Sequence, residues 1–305
     1  MSQNAYHIPV MCREAMEGLN VAPSGIYVDA TFGGGGHSRA ILERLDDTGR
    51  LLAFDQDEQA AANAIDDPRF TLIGENFRHL KSFLRLNGVR KVNGVLADLG
   101  VSSHQFDTAE RGFSTRFEGA LDMRMDSRQP TSARDLVNSL DEEEIASLLK
   151  LYGELPNARQ MARAIVKARS ERSIDTTTDL KEAVSRHLPR GMENKYLAML
   201  FQALRIEVNG ELEALKELLV QATELLVEGG RLVVISYHSL EDRLVKNFMK
   251  TGNFEGRLEK DFYGNVLAPM RMVSRGALQP TEEELAANSR ARSAKLRVGE
   301  KVGSE

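Results

Sequence analysis

Four short apolar runs in the first hundred residues, most of them followed by helical spacing, confine this chain to an α/β architecture built on a parallel sheet. Gly25-Ile-Tyr-Val-Asp-Ala-Thr-Phe32 is β-branched and aromatic and runs into four consecutive glycines, after which Ile41, Leu42 and Leu45 fall at helical spacing. Arg50-Leu-Leu-Ala-Phe-Asp55 is a second strand run, with an alanine-rich helical stretch from Gln59 to Ile65 behind it. Phe70-Thr-Leu-Ile73 and Val92-Asn-Gly-Val-Leu-Ala-Asp98 are the third and fourth. Strands that pair in parallel need a crossover, and a helix is the usual one.

The fifth run of comparable quality, Gly230-Arg-Leu-Val-Val-Ile-Ser236, lies far downstream. The pattern before it predicts a helix over 211–228, with Leu212, Leu215, Leu218, Leu219, Ala222, Leu225 and Leu226 on one face and Gly229-Gly230 as its stop. One crossover takes only a few tens of residues. The surplus reads as an inserted subdomain at 108–207, leaving 1–107 and 208–305 as the sheet domain. The insert reads as helical: Ser139-x-x-Glu142 is a predicted capping box ahead of Ile145, Leu148, Leu149 and Tyr152, and Met161, Ala164, Ile165 and Ala168 repeat an amphipathic period. Ser239-x-x-Asp242 is predicted to cap a helix carrying Leu240, Leu244, Val245 and Phe248. Extended runs at 270–274 and 294–298, with Thr281-x-x-Glu284 between them, suit an antiparallel hairpin at the sheet edge.

Apolar residues are 42% of the chain and charged residues 28%, the balance of a soluble globular protein. Lys and Arg number 40 against 45 Asp and Glu, a net charge of -5, which excludes a uniformly basic nucleic-acid coat but not a local basic face. The longest apolar run, Tyr196 to Phe201, is six residues, too short for a bilayer. The first residues carry no basic region followed by an apolar stretch. A single cysteine, Cys12, cannot form an internal disulfide. The expectation is a cytoplasmic protein with no membrane partner.

The sharpest local feature is Asp29-Ala-Thr-Phe-Gly-Gly-Gly-Gly-His-Ser38, between a strand and a helix. It reads either as a flexible turn or as a loop that lets backbone approach a ligand. The dinucleotide fingerprint G-x-G-x-x-G fails in both registers, at Ser38 or Arg39. The spacing of Asp29, Thr31, Gly33 and Gly35 resembles motif I of Rossmann-like S-adenosylmethionine methyltransferases, with threonine in place of its first glycine. Asp55, ending the second strand, suits the two hydroxyls of a ribose. Phe77 and Asp98 lie beyond strand ends, where open parallel sheets bind ligands. Phe77 can pack on adenine or belong to the core.

Asp98-Leu-Gly-Val-Ser-Ser103, Gln105, Arg111-Gly-Phe-Ser114, Leu121-Asp-Met-Arg-Met125, Phe201-Gln-Ala-Leu-Arg-Ile206, Ser236-Tyr-His-Ser-Leu-Glu-Asp-Arg243 and Arg292-Ser-Ala-Lys-Leu-Arg297 occur in order, after a His7-x-Pro9-Val10 start. Together they resemble the bacterial ribosomal RNA small subunit methyltransferase H family, also called MraW, from about residue 7 to 298. The resemblance implies a Rossmann-like class I methyltransferase fold with an inserted all-helical subdomain. It implies S-adenosyl-L-methionine as cofactor, 16S rRNA within the small ribosomal subunit as partner, and methylation of the exocyclic N4 of one cytidine at the decoding centre. It places cofactor contacts on Gly35, Gly36, His37, Asp55, Phe77, Asp98 and Gln105, and makes a homodimer the expectation. The chain departs from the family's usual pattern at Met11, at Tyr237, in Phe113-Ser-Thr115 and over 193–200.

The amine lone pair of cytosine is delocalised, so an enzyme helps by accepting hydrogen bonds from the amine protons and by aligning the reacting atoms. Amine-specific DNA methyltransferases use an Asp/Asn/Ser-Pro-Pro-aromatic tetrapeptide; here Asp98-Leu-Gly-Val keeps only the acid. Three readings of Asp98 stand: it holds the cofactor, the amine, or neither. Tyr237 is a candidate to stack on a flipped-out cytosine and His238 to take a proton or orient the base, each against a purely structural role. Carbon-5 chemistry needs a cysteine nucleophile, and Cys12 lies before the first strand. The six histidines show no H-E-x-x-H, so no metal is expected.

RNA affinity must come from local charge. Arg159, Arg163, Lys167, Arg169 and Arg172 set five cations against Glu171, and Arg290, Arg292, Lys295 and Arg297 cluster without an acid. Arg111, Phe113, Arg124, Met125, Arg292 and Lys295 are the substrate-side candidates. The rival readings are a methyltransferase acting on another RNA position, a protein or a small molecule, a ribosome-assembly or RNA-binding factor without catalysis, and, remotely, a nicotinamide oxidoreductase.

Overall fold

The computed structural model describes residues 9–260, 262–264 and 267–303; His7 of the opening motif lies outside them. The chain divides into two compact units, one of residues 1–100 with 212–305 and one of residues 101–211. The sequence-based limits of the insert, 108 and 207, fall a few residues inside these. The difference at the first edge is physical: Val101 packs against the second unit's core, and Ser102 caps that unit's first helix.

The first unit is a seven-stranded sheet. Its strands are β1 (Ile26–Asp29), β2 (Arg50–Phe54), β3 (Phe70–Ile73), β4 (Val92–Asp98), β5 (Leu226–Ser236), β6 (Met270–Met272) and β7 (Lys295–Lys301), in the order β3-β2-β1-β4-β5-β7-β6. The first five pair in parallel, and β7 runs antiparallel to both β5 and β6. Strand order reverses between β1 and β4, and an open α/β sheet binds ligands at such a switch point, outside its carboxyl edge.

The strands are apolar on both faces, as a covered parallel sheet requires. Val28, Leu52, Val95, Ala97, Leu232 and Val234 point into one core. Tyr27, Leu51, Leu96, Val233 and Ile235 point into the other, so the alternation has the strand period. Helices Cys12–Leu19 and Gly36–Leu42 cover the second face, and Leu80–Leu86, Glu211–Leu225 and Ser239–Thr251 the first. Each buried Leu or Val contributes about 1.5–3 kcal/mol, so the two-sided burial dominates this unit's stability.

Several element ends differ from the sequence reading. The helix predicted to run to Glu228 stops at Leu225, because Leu226 already pairs with Val92 in the sheet. A register shift follows between Val92 and Gly94, and Gly229 turns with φ 74°. The alanine-rich stretch is a 3-10 turn over Glu58–Asn63, begun by Asp57, whose side chain accepts from the Gln59 amide. Ser239-x-x-Asp242 is not the cap of its helix: His238 is, one residue earlier, with Glu241 reciprocating.

The second unit is helical, with Ala133–Ser139, Glu142–Gly153, Ala158–Glu171, Thr177–Val184 and Glu193–Asn209 around a core that includes Leu149, Met161, Ile165, Leu180, Leu200 and Leu204. Asp141 and Glu144, rather than Ser139 and Glu142, form the capping box of the helix Glu142–Gly153, since Ser139 still belongs to the preceding one. Among the described residues no helix is long and apolar enough to cross a membrane.

Candidate active site

The carboxyl edge of β1, β2 and β4 carries three aspartates. Asp29, fully buried, accepts from Ser38 Oγ at 2.6 Å and from the Thr31 amide at 3.1 Å. Asp55 accepts the Gly33 amide on Oδ2 at 2.7 Å and the Asp57 amide on Oδ1 at 2.9 Å. A carboxylate has about four acceptor positions, so both oxygens keep room for another donor. Asp98 has its amide held by Thr31 Oγ at 2.7 Å and its Oδ1 by the Tyr237 hydroxyl at 2.7 Å. Desolvation raises all three carboxyls; Asp55 and Asp98 each reach about 6, although backbone amides lower the one and His37 and the Tyr237 hydroxyl lower the other. Both remain ionised at neutral pH.

The glycine bend sits between these acids. Gly33 and Gly35 adopt φ 50° and 74°, and Gly35 then delivers the helix beginning at Gly36. The bend is clasped from outside: Arg39 Nη1 donates to the Gly34 carbonyl at 2.8 Å and Asn63 Nδ2 to the Gly33 carbonyl at 3.1 Å. A Cβ at Gly35 would come within 2.9 Å of the Phe32 ring and one at Gly36 within 3.0 Å of Pro9, whereas one at Gly34 would meet no described atom within 4 Å. His37 is buried, with Nε2 at 3.0 Å from the Val10 carbonyl and Nδ1 at 3.8 Å from Asp98 Oδ2.

Tyr237 and His238 form the corner between β5 and the next helix. Glu241, nearly fully buried, accepts the Tyr237 amide on Oε2 at 2.9 Å. The Glu241 amide donates to His238 Nδ1 at 3.4 Å, and His238 Nε2 lies 3.1 Å from Glu241 Oε1 but out of line for a hydrogen bond. His238 is thus engaged in capping its helix. Burial, followed by the Asp98 charge, pushes the Tyr237 phenol far up, so it remains a hydrogen-bond donor. Phe77 opens a 3-10 turn after β3 and is half-buried against the core. Of the tail residues, Arg292 is exposed, while Lys295 Nζ lies 3.4 Å from Asp242 Oδ2 and buried Arg297 donates to Asp242 Oδ1 at 2.7 Å.

The remaining candidates belong to the helical unit. Gln105 is buried and closes a capping box with Ser102. Arg111 Nη2 donates to the Arg124 and Met125 carbonyls, and Arg124 makes a two-pronged pair with Asp122 at 2.8 Å on each arm. Phe113 and Met125 lie in that unit's core. On the helix Ala158–Glu171, Arg159, Arg163 and Lys167 are exposed at four-residue spacing, Arg163 with Nε 3.3 Å from Glu142 Oε1; Arg169 donates to the Val137 carbonyl, and Arg172, also exposed, pairs with Asp179.

Thr31, Ser38, Glu241 and the Val10 carbonyl are the participants that sequence reasoning passed over. Thr31 stood out only as a replaced glycine. Glu241 is visible once a histidine is admitted as a helix cap.

A family model described as the MraW methylase family matches residues 4–302. Proteins named ribosomal RNA small subunit methyltransferase H align along nearly the whole chain. The one from Bacteroides thetaiotaomicron is 57% identical, covering 97% of this chain and 97% of its own length. That from Phocaeicola vulgatus is 57% identical over 98% and 99%, and that from Flavobacterium johnsoniae 55% over 97% and 98%.

Proposed function

The chain belongs to the MraW methylase family, and we propose that it methylates the exocyclic N4 of a cytidine in 16S rRNA, at the decoding centre of the small ribosomal subunit, with S-adenosylmethionine as donor. The observation that carries the reading is the acid-lined switch point: Asp55 and Asp98 on strand ends flanking a glycine bend in which a Cβ on Gly34 would meet no described atom within 4 Å. Three carboxyls on one rim suit a ligand that carries positive charge. They would repel the pyrophosphate of a nicotinamide dinucleotide.

The residues present fit the donor. Asp55 has acceptor positions for two ribose hydroxyls, the Gly33–Gly36 backbone can approach closely, and Phe77 offers an aromatic edge beside β3 for a base. When bound, S-adenosylmethionine supplies an electrophilic methyl on a positively charged sulfur.

The chain's own work is on the amine. Ionised Asp98 accepts a hydrogen bond from an N4 proton, which draws the nitrogen towards pyramidal geometry and localises its lone pair. Tyr237, by donating to Oδ1, fixes the plane of that carboxylate. Alignment of this kind supplies up to about 7–11 kcal/mol of a barrier. In the helical unit, Arg159, Arg163 and Lys167 form an exposed cationic stripe suited to RNA phosphates.

The test is transfer of tritiated methyl to small ribosomal subunits lacking the modification, followed by digestion to nucleosides. Label in N4-methylcytidine from 16S rRNA is the expected result. Label in another nucleoside, in protein, or nowhere would overturn the reading.

A further inference from the structure

We propose that His37 and Asp98 work as one proton-accepting pair in this reaction, with His37 as the positioning residue that keeps the carboxylate ready for the amine. The proposal rests on the N4 reading above and deepens it.

The argument begins with the tautomer. His37 Nε2 lies 3.0 Å from the Val10 carbonyl oxygen, which can only accept. Nε2 therefore carries a hydrogen, and Nδ1 is the atom turned to Asp98 Oδ2. At 3.8 Å that contact is longer than a hydrogen bond but well inside the range of a charge interaction. The charge interaction across this contact favours ionised Asp98 and lowers its pKa. The remaining groups that bear on Asp98 are Asp29 on β1 and Glu241 on the helix after β5, both opposing its ionisation, and the Tyr237 hydroxyl on Oδ1, supporting it. His37 thus works with Tyr237 against two acids.

The ring is held in place from a distance. Met11 is turned into the left-handed region at φ 50°, and its amide donates to Glu284 Oε1 at 2.6 Å, which presents the Val10 carbonyl to Nε2. Pro9 lies against Gly36 at the start of the same helix. A strap at one end of the sequence and a helix near the other therefore set which nitrogen of His37 faces the reacting side.

The chemistry balances as follows. The N4 lone pair forms the nitrogen–carbon bond as the carbon–sulfur bond breaks with its electron pair on sulfur. N4 then carries a positive charge and one proton too many. That proton passes to Asp98, the N–H electron pair returning to nitrogen, and leaves from Asp98, whose side chain is 23% exposed, to solvent.

The experiment is single-turnover methyl transfer to unmodified small subunits at saturating S-adenosylmethionine between about pH 5 and about pH 9, for wild type, His37→Asn and Tyr237→Phe. Calorimetric titration of the same proteins with S-adenosylmethionine runs alongside. Both variants should move the acid limb of the rate profile upward by roughly one pH unit, about fivefold slower at pH 6, with the loss read in the rate at saturating donor rather than in affinity alone. A His37→Asn limb that stays in place, with the loss appearing in affinity instead, overturns the pair. So does an unchanged profile in both variants. Should His37→Asn not fold, Glu284→Ala, which frees the strap, should move the limb the same way, and an unmoved limb there counts against the pair. Wild type that makes no N4-methylcytidine fails the parent reading, and that outcome is distinct from these.

Discussion

Adding one methyl group at Gly34 and at Gly35 should produce opposite phenotypes. Gly35 lies at φ 74°, and a Cβ there would meet Arg39 Nη1 at 2.7 Å and the Phe32 ring at 2.9 Å. Left-handed backbone costs a residue with a Cβ about 1–2 kcal/mol. Displacing a buried ring costs about 1–3 kcal/mol, and Phe32 is 3% exposed. Gly35→Ala should therefore lose about 2–5 kcal/mol and lower Tm by roughly 5–15 °C. Gly34 has no positive φ and no described atom within 4 Å of the added carbon. Gly34→Ala should leave stability within about 1 kcal/mol of wild type, on the favourable side, because alanine restricts the unfolded chain. Yet if the space over Gly34 is where the donor lies, its affinity should fall tenfold or more, about 1.4 kcal/mol. Differential scanning calorimetry and titration with S-adenosylmethionine read the two quantities separately. Wild-type affinity in a well-folded Gly34→Ala would refute the cradle, and a wild-type Tm in Gly35→Ala would refute the packing argument.

Asp55 and Asp98 have folded pKa values near 6 against an ordinary 3.8. The native state therefore binds more protons than the unfolded chain between those values, and their contribution to stability is greatest below 3.8 and is lost as pH rises through about 6. Donor binding runs the other way and should weaken below about pH 6 as the carboxylates protonate; a titration flat across that range contradicts the assignment. Arg297→Ala takes from Asp242 its buried partner, leaving Lys295 at 3.4 Å, and should cost about 1.5–3 kcal/mol in urea unfolding. Arg292→Ala should leave unfolding unchanged while lowering RNA affinity and its salt dependence, and equal unfolding midpoints for the two arginine variants would refute the distinction. In the helical unit, Asn209 accepts the Met125 amide and donates to the Met123 and Arg205 carbonyls, so Asn209→Ala should cost about 2–4 kcal/mol by loss of buried hydrogen bonds.

What was legible in the sequence was the periodic part. The runs ending at Asp29, Asp55, Ile73 and Asp98 alternate between two buried faces, and a repeat of two survives in sequence whatever the loops do. The glycine bend was legible because only glycine tolerates both the φ of Gly35 and the ring beside it. Less legible were the ends of elements. Leu226 continues a good helical stripe, and only its pairing with Val92, far away in sequence, makes it a strand residue. Histidine is a rare cap, so Ser239 drew the assignment that His238 holds. The roles of side chains were least legible of all. Lys295 and Arg297 look alike in sequence, yet Arg297 is buried on Asp242. That His37 turns Nδ1 to Asp98 depends on a carbonyl of residue 10 and a carboxylate of residue 284, which no local pattern connects.

Direct titration with S-adenosylmethionine, for wild type and for Asp55→Ala checked for folding, tests most sharply whether the rim of the sheet holds this donor. Wild type should take up one equivalent, and the variant, stripped of the carboxylate proposed to receive the ribose, should bind about a hundredfold more weakly. Equal binding by the two proteins, or none by the wild type, would contradict the account.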